Sequence, residues 1–207
     1  NIIKTFNRYL CDNGIVEKCK KLGLAELAVG NKEEAKKLYI MACNGGRMKD
    51  CNLLAELEHN AGNIEEAKRL VKKSCDGGLM DGCYNLGGYE EEAGNTEKAK
   101  KLYKKVCKGG VMDGCIMLGH IEHKTGNKVE AKRLYLKSCE GRSMEGCVWL
   151  GYREYKDGNK EEGLKLYKKT CDAEYMLGCY KLGQIKYQTG NKAEAKWLFE
   201  KACDGGH

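Results

Sequence analysis

The chain contains no proline, and only two Phe and two Trp accompany its twelve Tyr. Strand-forming residues are few, charged residues reach 32%, and helix formers dominate, so helix is the default expectation. No apolar run approaches the ~18 residues that a membrane span requires, which excludes a spanning helix. The first residues, Asn1-Ile2-Ile3-Lys4, include neither a starter Met nor a signal peptide, and the expectation is a mature or trimmed chain. Histidine is scarce, four in all, and no His pair recurs with the repeats described below, so no metal centre is expected. The net charge of +7 is spread along the sequence, with Glu beside nearly every Lys-rich segment, and no basic stripe for nucleic acid stands out.

Cysteine, by contrast, is abundant. Thirteen occur, at positions 11, 19, 43, 51, 75, 83, 107, 115, 139, 147, 171, 179 and 203, and the gaps alternate strictly between 8 and 24 residues. A reducing cytosol would leave such thiols free, whereas a periplasm or extracellular space would pair them, so the chain reads as secreted or periplasmic. A small buried hydrophobe that happens to be Cys explains one column of a repeat, not two columns at a fixed offset. Zinc is the rival reading, although each local group offers it only two sulfurs. The expected disulfides are Cys11–Cys19, Cys43–Cys51, Cys75–Cys83, Cys107–Cys115, Cys139–Cys147 and Cys171–Cys179, with Cys203 a free thiol.

Gly-Asn recurs at 30-31, 62-63, 94-95, 126-127, 158-159 and 190-191, 32 residues apart each time. Gly can close one helix in the left-handed conformation, and Asn can cap the next by accepting a hydrogen bond from its first-turn amides. Behind the joint at Gly94-Asn95, the apolar Ala99, Leu102, Tyr103 and Val106 fall at i, i+3, i+4 and i+7, one buried helical face. Gly109-Gly110 then punctuates, and Met112 to roughly Glu122 forms a second helix with Cys115, Leu118 and Gly119 inward. Counted along the chain, this unit predicts thirteen helices of about twelve residues, too short to persist except by stacking.

Each cysteine pair spans the double-Gly turn, one Cys in the last turn of a helix and the other in the first turn of the next, within disulfide reach. Glu26, Glu58, Glu90 and Glu122 precede Lys36, Lys68, Lys100 and Lys132 by ten residues and are expected to pair across the Gly-Asn hairpin. At the last two joints Glu154 meets Leu164 and Lys186 meets Lys196. The Met column, Met48, Met80, Met112, Met144 and Met176, reads as packing between repeats. A partner for Cys203 would fall four residues past residue 207, so the expectation is a single repeat domain over 1–207 that stops within its array.

The spacing of Leu86-Gly87, Gly94, Ala99 and Tyr103 resembles the tetratricopeptide repeat (TPR). The added cysteine pairs resemble the cysteine-rich subclass of Sel-like repeats, with the Helicobacter cysteine-rich protein family as the nearest named group. The resemblance runs over essentially the whole chain, in the signature Cys83-Tyr84-Asn85-Leu86-Gly87 followed by Lys98-Ala99. The period of 32 is shorter than that family's usual repeat by about one helical turn, and Glu stands at a position where the family tends to carry Tyr. The fold this implies is all-α, a right-handed alpha-alpha superhelical solenoid of 32-residue TPR/Sel-like repeats with disulfide-stapled hairpins.

The function the resemblance implies is an exported scaffold whose concave face holds a peptide, a protein or a cell-wall fragment. Taken with the sequence, the expectation is a monomer with no cofactor. Members of that family are also associated with penicillin binding and weak β-lactamase activity, which is the alternative. The chain has no Ser-x-x-Lys and no metallo-hydrolase cluster, so no catalytic residue is expected.

In a stack of this kind the Leu-Gly helices would line the concave face. The outward columns are Asn52, Tyr84, Ile116, Val148 and Tyr180; His120, Tyr152 and Gln184; and His59, Glu91, His123, Tyr155 and Tyr187. These columns vary while the flanking core columns stay constant, as a recognition surface would, and Tyr is a contact residue of low entropy cost. The candidate ligand-binding residues are Asn52, His59, Tyr84, Glu91, His120, His123, Tyr152, Tyr155, Tyr180 and Tyr187. Trp149 and Trp197 are singular, and Trp197-Leu198-Phe199 on the last helix is expected to be exposed.

Overall fold

The computed structural model describes residues 2–204. Among them thirteen helices follow one another and no strand occurs: α1 (Ile2–Asp12), α2 (Val16–Ala28), α3 (Lys32–Asn44), α4 (Met48–Asn60), α5 (Ile64–Asp76), α6 (Met80–Glu92), α7 (Thr96–Lys108), α8 (Met112–Lys124), α9 (Lys128–Glu140), α10 (Met144–Lys156), α11 (Lys160–Asp172), α12 (Met176–Gln188) and α13 (Lys192–Asp204). Consecutive helices pack as hairpins. They form two compact units, Asn1–Lys105 and Val106–His207, whose boundary falls within α7.

Six disulfides join the helices across short turns, three of which (45-46, 77-78 and 109-110) are double Gly, in the pairing the spacing predicts, with Cα–Cα distances of 4.4 to 4.9 Å. Three lie in each unit. Cys203 on α13 is unpaired and exposed. Six such staples belong to an oxidising, extracytoplasmic environment.

The Gly-Asn joints close as Schellman turns. Gly30, Gly62, Gly94, Gly126, Gly158 and Gly190 take φ from +75° to +99°. The next residue's N–H bonds back five residues, as Asn31 does to the Glu26 carbonyl at 2.8 Å. The Asn side chains differ from the expectation of a cap on the following helix. Asn127 and Asn191 do accept from the N–H of Glu130 and Glu194, at 3.4 and 3.3 Å. Asn31, Asn63 and Asn159 make no such bond. Instead Asn31, Asn63, Asn95, Asn127 and Asn159 donate through Nδ2 to the carboxylates of Glu26, Glu58, Glu90, Glu122 and Glu154, at 2.7 to 3.1 Å. Each of these five joints is clamped twice to one Glu, through its carbonyl and through its carboxylate.

The same carboxylates take lysines, but not the ones ten residues on. Lys4 pairs with Glu26 at 2.6 Å, Lys36 with Glu58 at 2.7 Å, Lys68 with Glu90 at 2.9 Å and Lys132 with Glu154 at 2.8 Å. The lysine therefore reaches across the disulfide-stapled hairpin and not across the Gly-Asn one. Lys36, Lys68 and Lys132 each lie on a helix whose two neighbours both carry such a Glu in the last turn, and spacing alone does not choose between them. The pairing also explains the irregular end of the ladder: Leu164 and Lys186 occupy one Lys/Glu step and change together. Lys186 turns to Glu194 at 2.9 Å, and Asn191 donates to that same Glu at 2.7 Å.

The bonds from Asn31 and Lys4 hold the Glu26 carboxyl below the usual carboxylate range, and those from Lys68 and Asn95 do the same for Glu90. At Glu154 burial pushes upward, but the bonds from Lys132 and Asn159 outweigh it. A depressed carboxylate contributes stability above its unfolded pKa, about 4.3, and loses it as the pH falls through the folded value. Urea midpoints followed by circular dichroism should therefore stay level from neutral pH down to about 5 and drop steeply below about 4. A midpoint that rose on acidification would contradict the clamp.

At the double-Gly turns the second residue is left-handed: Gly46, Gly78 and Gly110 have φ of +91°, +88° and +85°. Arg142 (+68°) and Glu174 (+59°) hold the same conformation with a Cβ, which costs roughly 1–2 kcal/mol. Glu174→Gly should accordingly raise stability by about 1 kcal/mol in urea unfolding, despite adding a glycine. A loss of stability would mean that the Glu174 side chain contributes more than its backbone strain costs.

The core repeats one contact. The glycine of each Leu-Gly motif receives an aromatic ring sixteen residues later: Gly23 faces Tyr39, Gly87 faces Tyr103, Gly119 faces Tyr135, Gly151 faces Tyr167 and Gly183 faces Phe199. A Cβ on Gly119 would lie 2.7 Å from Tyr135 Cε1. Where the motif carries Ala55, the ring position holds Val71, and both are buried. The Met column packs as expected, Met48 against Gly77 and Met112 against Gly141.

Candidate functional site

The Leu-Gly helices touch one another directly, α4 with α6 in the first unit and α10 with both α8 and α12 in the second. The column of Asn52, Tyr84, Ile116, Val148 and Tyr180 is not outward throughout, because Ile116 and Val148 are buried in the core between these helices.

In the first unit, His59 is exposed at the end of α4, with Nδ1 2.9 Å from the Tyr89 hydroxyl and ring centroids 5.8 Å apart. Tyr84 is half-buried on α6, its ring 5.8 Å from that of Tyr103. The Tyr103 hydroxyl donates to Glu91 at 3.2 Å. Burial, reinforced by Glu91, pushes that phenol far above its ordinary pKa, so it remains a donor at physiological pH. Asn52 is half-buried on α4, and its Oδ1 is enclosed without a hydrogen-bond partner in the structure. The first unit thus offers Tyr84 and Glu91 linked through Tyr103, with His59 on Tyr89.

The second unit gathers a larger aromatic cluster. His120 on α8 has Nδ1 2.8 Å from the Tyr135 hydroxyl. Trp149 on α10 meets His120 edge-on at 4.4 Å and stacks on Tyr135 at 6.2 Å. Tyr152, one turn on, approaches Trp149 edge-on at 6.1 Å. Edge-to-face and offset arrangements of this kind add attraction beyond the area they bury. Burial raises the Tyr135 phenol to about 12, against the opposing field of Arg153. Arg153 is itself buried, donates to Asp157 at 2.7 Å, and keeps an enclosed Nε without a partner in the structure.

The remaining candidates lie around this cluster or apart from it. Tyr155 carries Lys160 over its ring at 6.0 Å, and His123 is half-buried with Nδ1 enclosed and without a partner in the structure. Tyr180 packs on Phe199 at 5.8 Å and accepts from Gln184 at 3.0 Å. Tyr187 is 58% exposed and joins none of these groups. Spacing did not find Tyr89, Tyr135 or Trp149 as site residues. Tyr89 and Trp149 lie one column away from the chosen ones, and Tyr135 reads as core; the only signal was that Trp149 is the single Trp on a Leu-Gly helix.

Ser74 is fully buried and bonds the Met48 carbonyl at 3.1 Å, Ser138 is equally buried beside the Met112 carbonyl at 3.5 Å, and Ser143 accepts from the Gly146 amide at 3.2 Å. All three serines of the chain are thus engaged by backbone. Among the described residues no group of three or more His, Cys, Asp or Glu is placed to hold a metal, and none of their helices is long and apolar enough to cross a membrane.

The Sel1 repeat model matches residues 21–46, 81–111, 113–143, 145–175 and 171–207, well over half of the chain. No curated protein sequence matches it. Among solved structures, a protective antigen of uropathogenic Escherichia coli with an SLR fold superposes with a TM-score of 0.77 at 20% identity, over 96% of this chain and 48% of that one. The chain therefore spans about half the length of that antigen. A Sel1 repeat protein from Oxalobacter formigenes is similar at TM-score 0.74 and 16% identity, over 91% and 87% of the two chains. PilF of Pseudomonas aeruginosa is similar at 0.66 and 17%, over 91% and 90%. At these identities the likeness shows the fold, and the repeat matches show the family. Repeated Leu-Gly helices, left-handed Gly joints and the matched segments lead to one conclusion: this chain belongs to the Sel1 repeat family.

Proposed function

We propose that the protein is an exported, monomeric scaffold that binds a peptide segment of a protein partner on the face of its Leu-Gly helices, the concave face of a right-handed solenoid. The observation that carries this reading is the ring cluster of the Leu-Gly helices α8 and α10, in which Trp149 joins His120 to Tyr152 and both His120 and Trp149 rest on the buried Tyr135 of α9. Such a cluster is held by a disulfide-stapled frame and needs little ordering on binding, which is how rigid aromatic anchors gain affinity. Glu91, Tyr84 and His59 of the first unit supply polar contacts of the kind that set specificity.

Export rests on the six disulfides, and repeat scaffolds of the Sel1 and TPR type generally bind other proteins. Cell-wall fragments are an outcome of the same test.

The test is selection of binding peptides from a displayed library on the oxidised protein, followed by calorimetry with the selected peptide. Trp149→Ala and Tyr152→Ala should each weaken binding about tenfold or more, while helical content is kept. Trp149 emission should shift on binding, and a peptide whose affinity ignores both substitutions would sink the proposal. Muropeptides that bind where no peptide does would replace the ligand class.

A further inference from the structure

The charge that looks evenly spread along the sequence is uneven once it is grouped by helix. α7 carries six lysines, Lys98, Lys100, Lys101, Lys104, Lys105 and Lys108, against a single acid, Glu97. In α3, α5, α9, α11 and α13, which occupy the corresponding place, basic residues exceed acidic ones by two at most.

A groove of about 580 Å³ runs along this helix in the first unit, lined by Glu65, Lys68, Arg69 and Lys72 of α5, Leu86 and Glu90 of α6, and Lys98, Lys101 and Leu102 of α7. Its floor is apolar, with Leu86 buried and Leu102 half-buried. Lys68, Arg69 and Lys72 are committed to Glu90, Glu66 and Asp76. Lys98 and Lys101 are exposed and close no salt bridge among those found in the described residues, although Lys98 lies near enough to Glu90 to help lower its carboxyl pKa. The groove does not include the aromatic cluster, which belongs to the second unit.

We infer that this groove is a second docking surface, for an acidic peptide segment of a partner protein that places apolar side chains on Leu86 and Leu102 and carboxylates beside Lys98 and Lys101. Two exposed lysines outside any salt bridge, flanking an apolar floor, complement that chemistry on both counts. A nucleic acid strand would want stacking rings, and the groove has none.

The experiment uses the intact oxidised protein and a fluorescent peptide of leucine and glutamate, read by anisotropy, beside an all-glutamate peptide of equal charge and a lysine-for-glutamate version. The leucine–glutamate peptide should bind and weaken as salt is raised, the all-glutamate peptide should bind at least about tenfold less tightly, and the lysine version should not bind. Lys98→Glu with Lys101→Glu should weaken binding by about tenfold or more, whereas Lys124→Glu with Lys128→Glu, an equal change of net charge on exposed sites of the second unit, should not. Thermal melts of both double variants confirm that they fold.

Equal affinity for the two acidic peptides would show that the apolar floor is unused and overturn the inference. So would equal loss in both double variants, which marks a general charge effect. Anionic phosphatidylserine vesicles that bind through Lys98 and Lys101 while the leucine–glutamate peptide does not would also overturn it. Trp149→Ala should leave this binding unchanged, so the inference and the aromatic-face reading fail separately.

Discussion

Reduction should lower the thermal midpoint of the protein by at least about 20 °C, read as ellipticity at 222 nm with and without a phosphine reductant. Each disulfide closes a loop of sequence separation 8. In the chain-entropy model one such closure stabilises by roughly 2–3 kcal/mol. With three staples in each unit, the loss approaches the whole stability of a typical domain, about 5–15 kcal/mol. The helices cannot make up the difference alone, because helices of 13 residues are marginal in water and persist only through their neighbours. A midpoint that moved by only a few degrees would show that the stacked cores suffice, and the case for an oxidising compartment would lose its physical basis.

The second large effect concerns the glycine under each ring. Gly119→Val should destabilise by about 3 kcal/mol, since its Cβ would lie 2.7 Å from Tyr135 Cε1 in a core with no room to give. The chain contains its own compensation, because the corresponding positions hold Ala55 and Val71. Gly119→Ala combined with Tyr135→Val should therefore be less damaging than the sum of the two single changes, by roughly 1–2 kcal/mol in a double-mutant cycle from urea unfolding. Strict additivity would mean that the ring does not sense the glycine. Tyr135 also supports His120 and Trp149, so Tyr135→Val should blunt peptide binding even where stability is restored.

Much of the molecule could be read without coordinates. The alternation of 8 and 24 between cysteines, and the Gly-Asn joints at intervals of 32, place every helix and every disulfide, because both depend on contacts between residues close in sequence. A helix, a turn and a staple across that turn each involve one hairpin, and a hairpin has few ways to close.

The candidate site was legible only in outline. Tyr84, Glu91, His120 and Tyr152 join clusters, yet Tyr103, Tyr135 and Trp149, which link them, came from core or neighbouring columns. A column pattern tells which side of a helix a residue occupies. It does not tell how far a large ring leans toward the next helix, and Trp149 crosses that gap to reach His120 at 4.4 Å.

By itself the sequence determined the helical class, the repeat, the joints and the cysteine pairing, all set by backbone geometry and spacing within a hairpin. Only the tertiary structure decided which carboxylate each lysine takes, why Asn31 and its counterparts turn back to Glu26 and its counterparts, and which rings meet. Those choices are made where three helices converge, and there the distances depend on packing across hairpins, which no interval along the chain records.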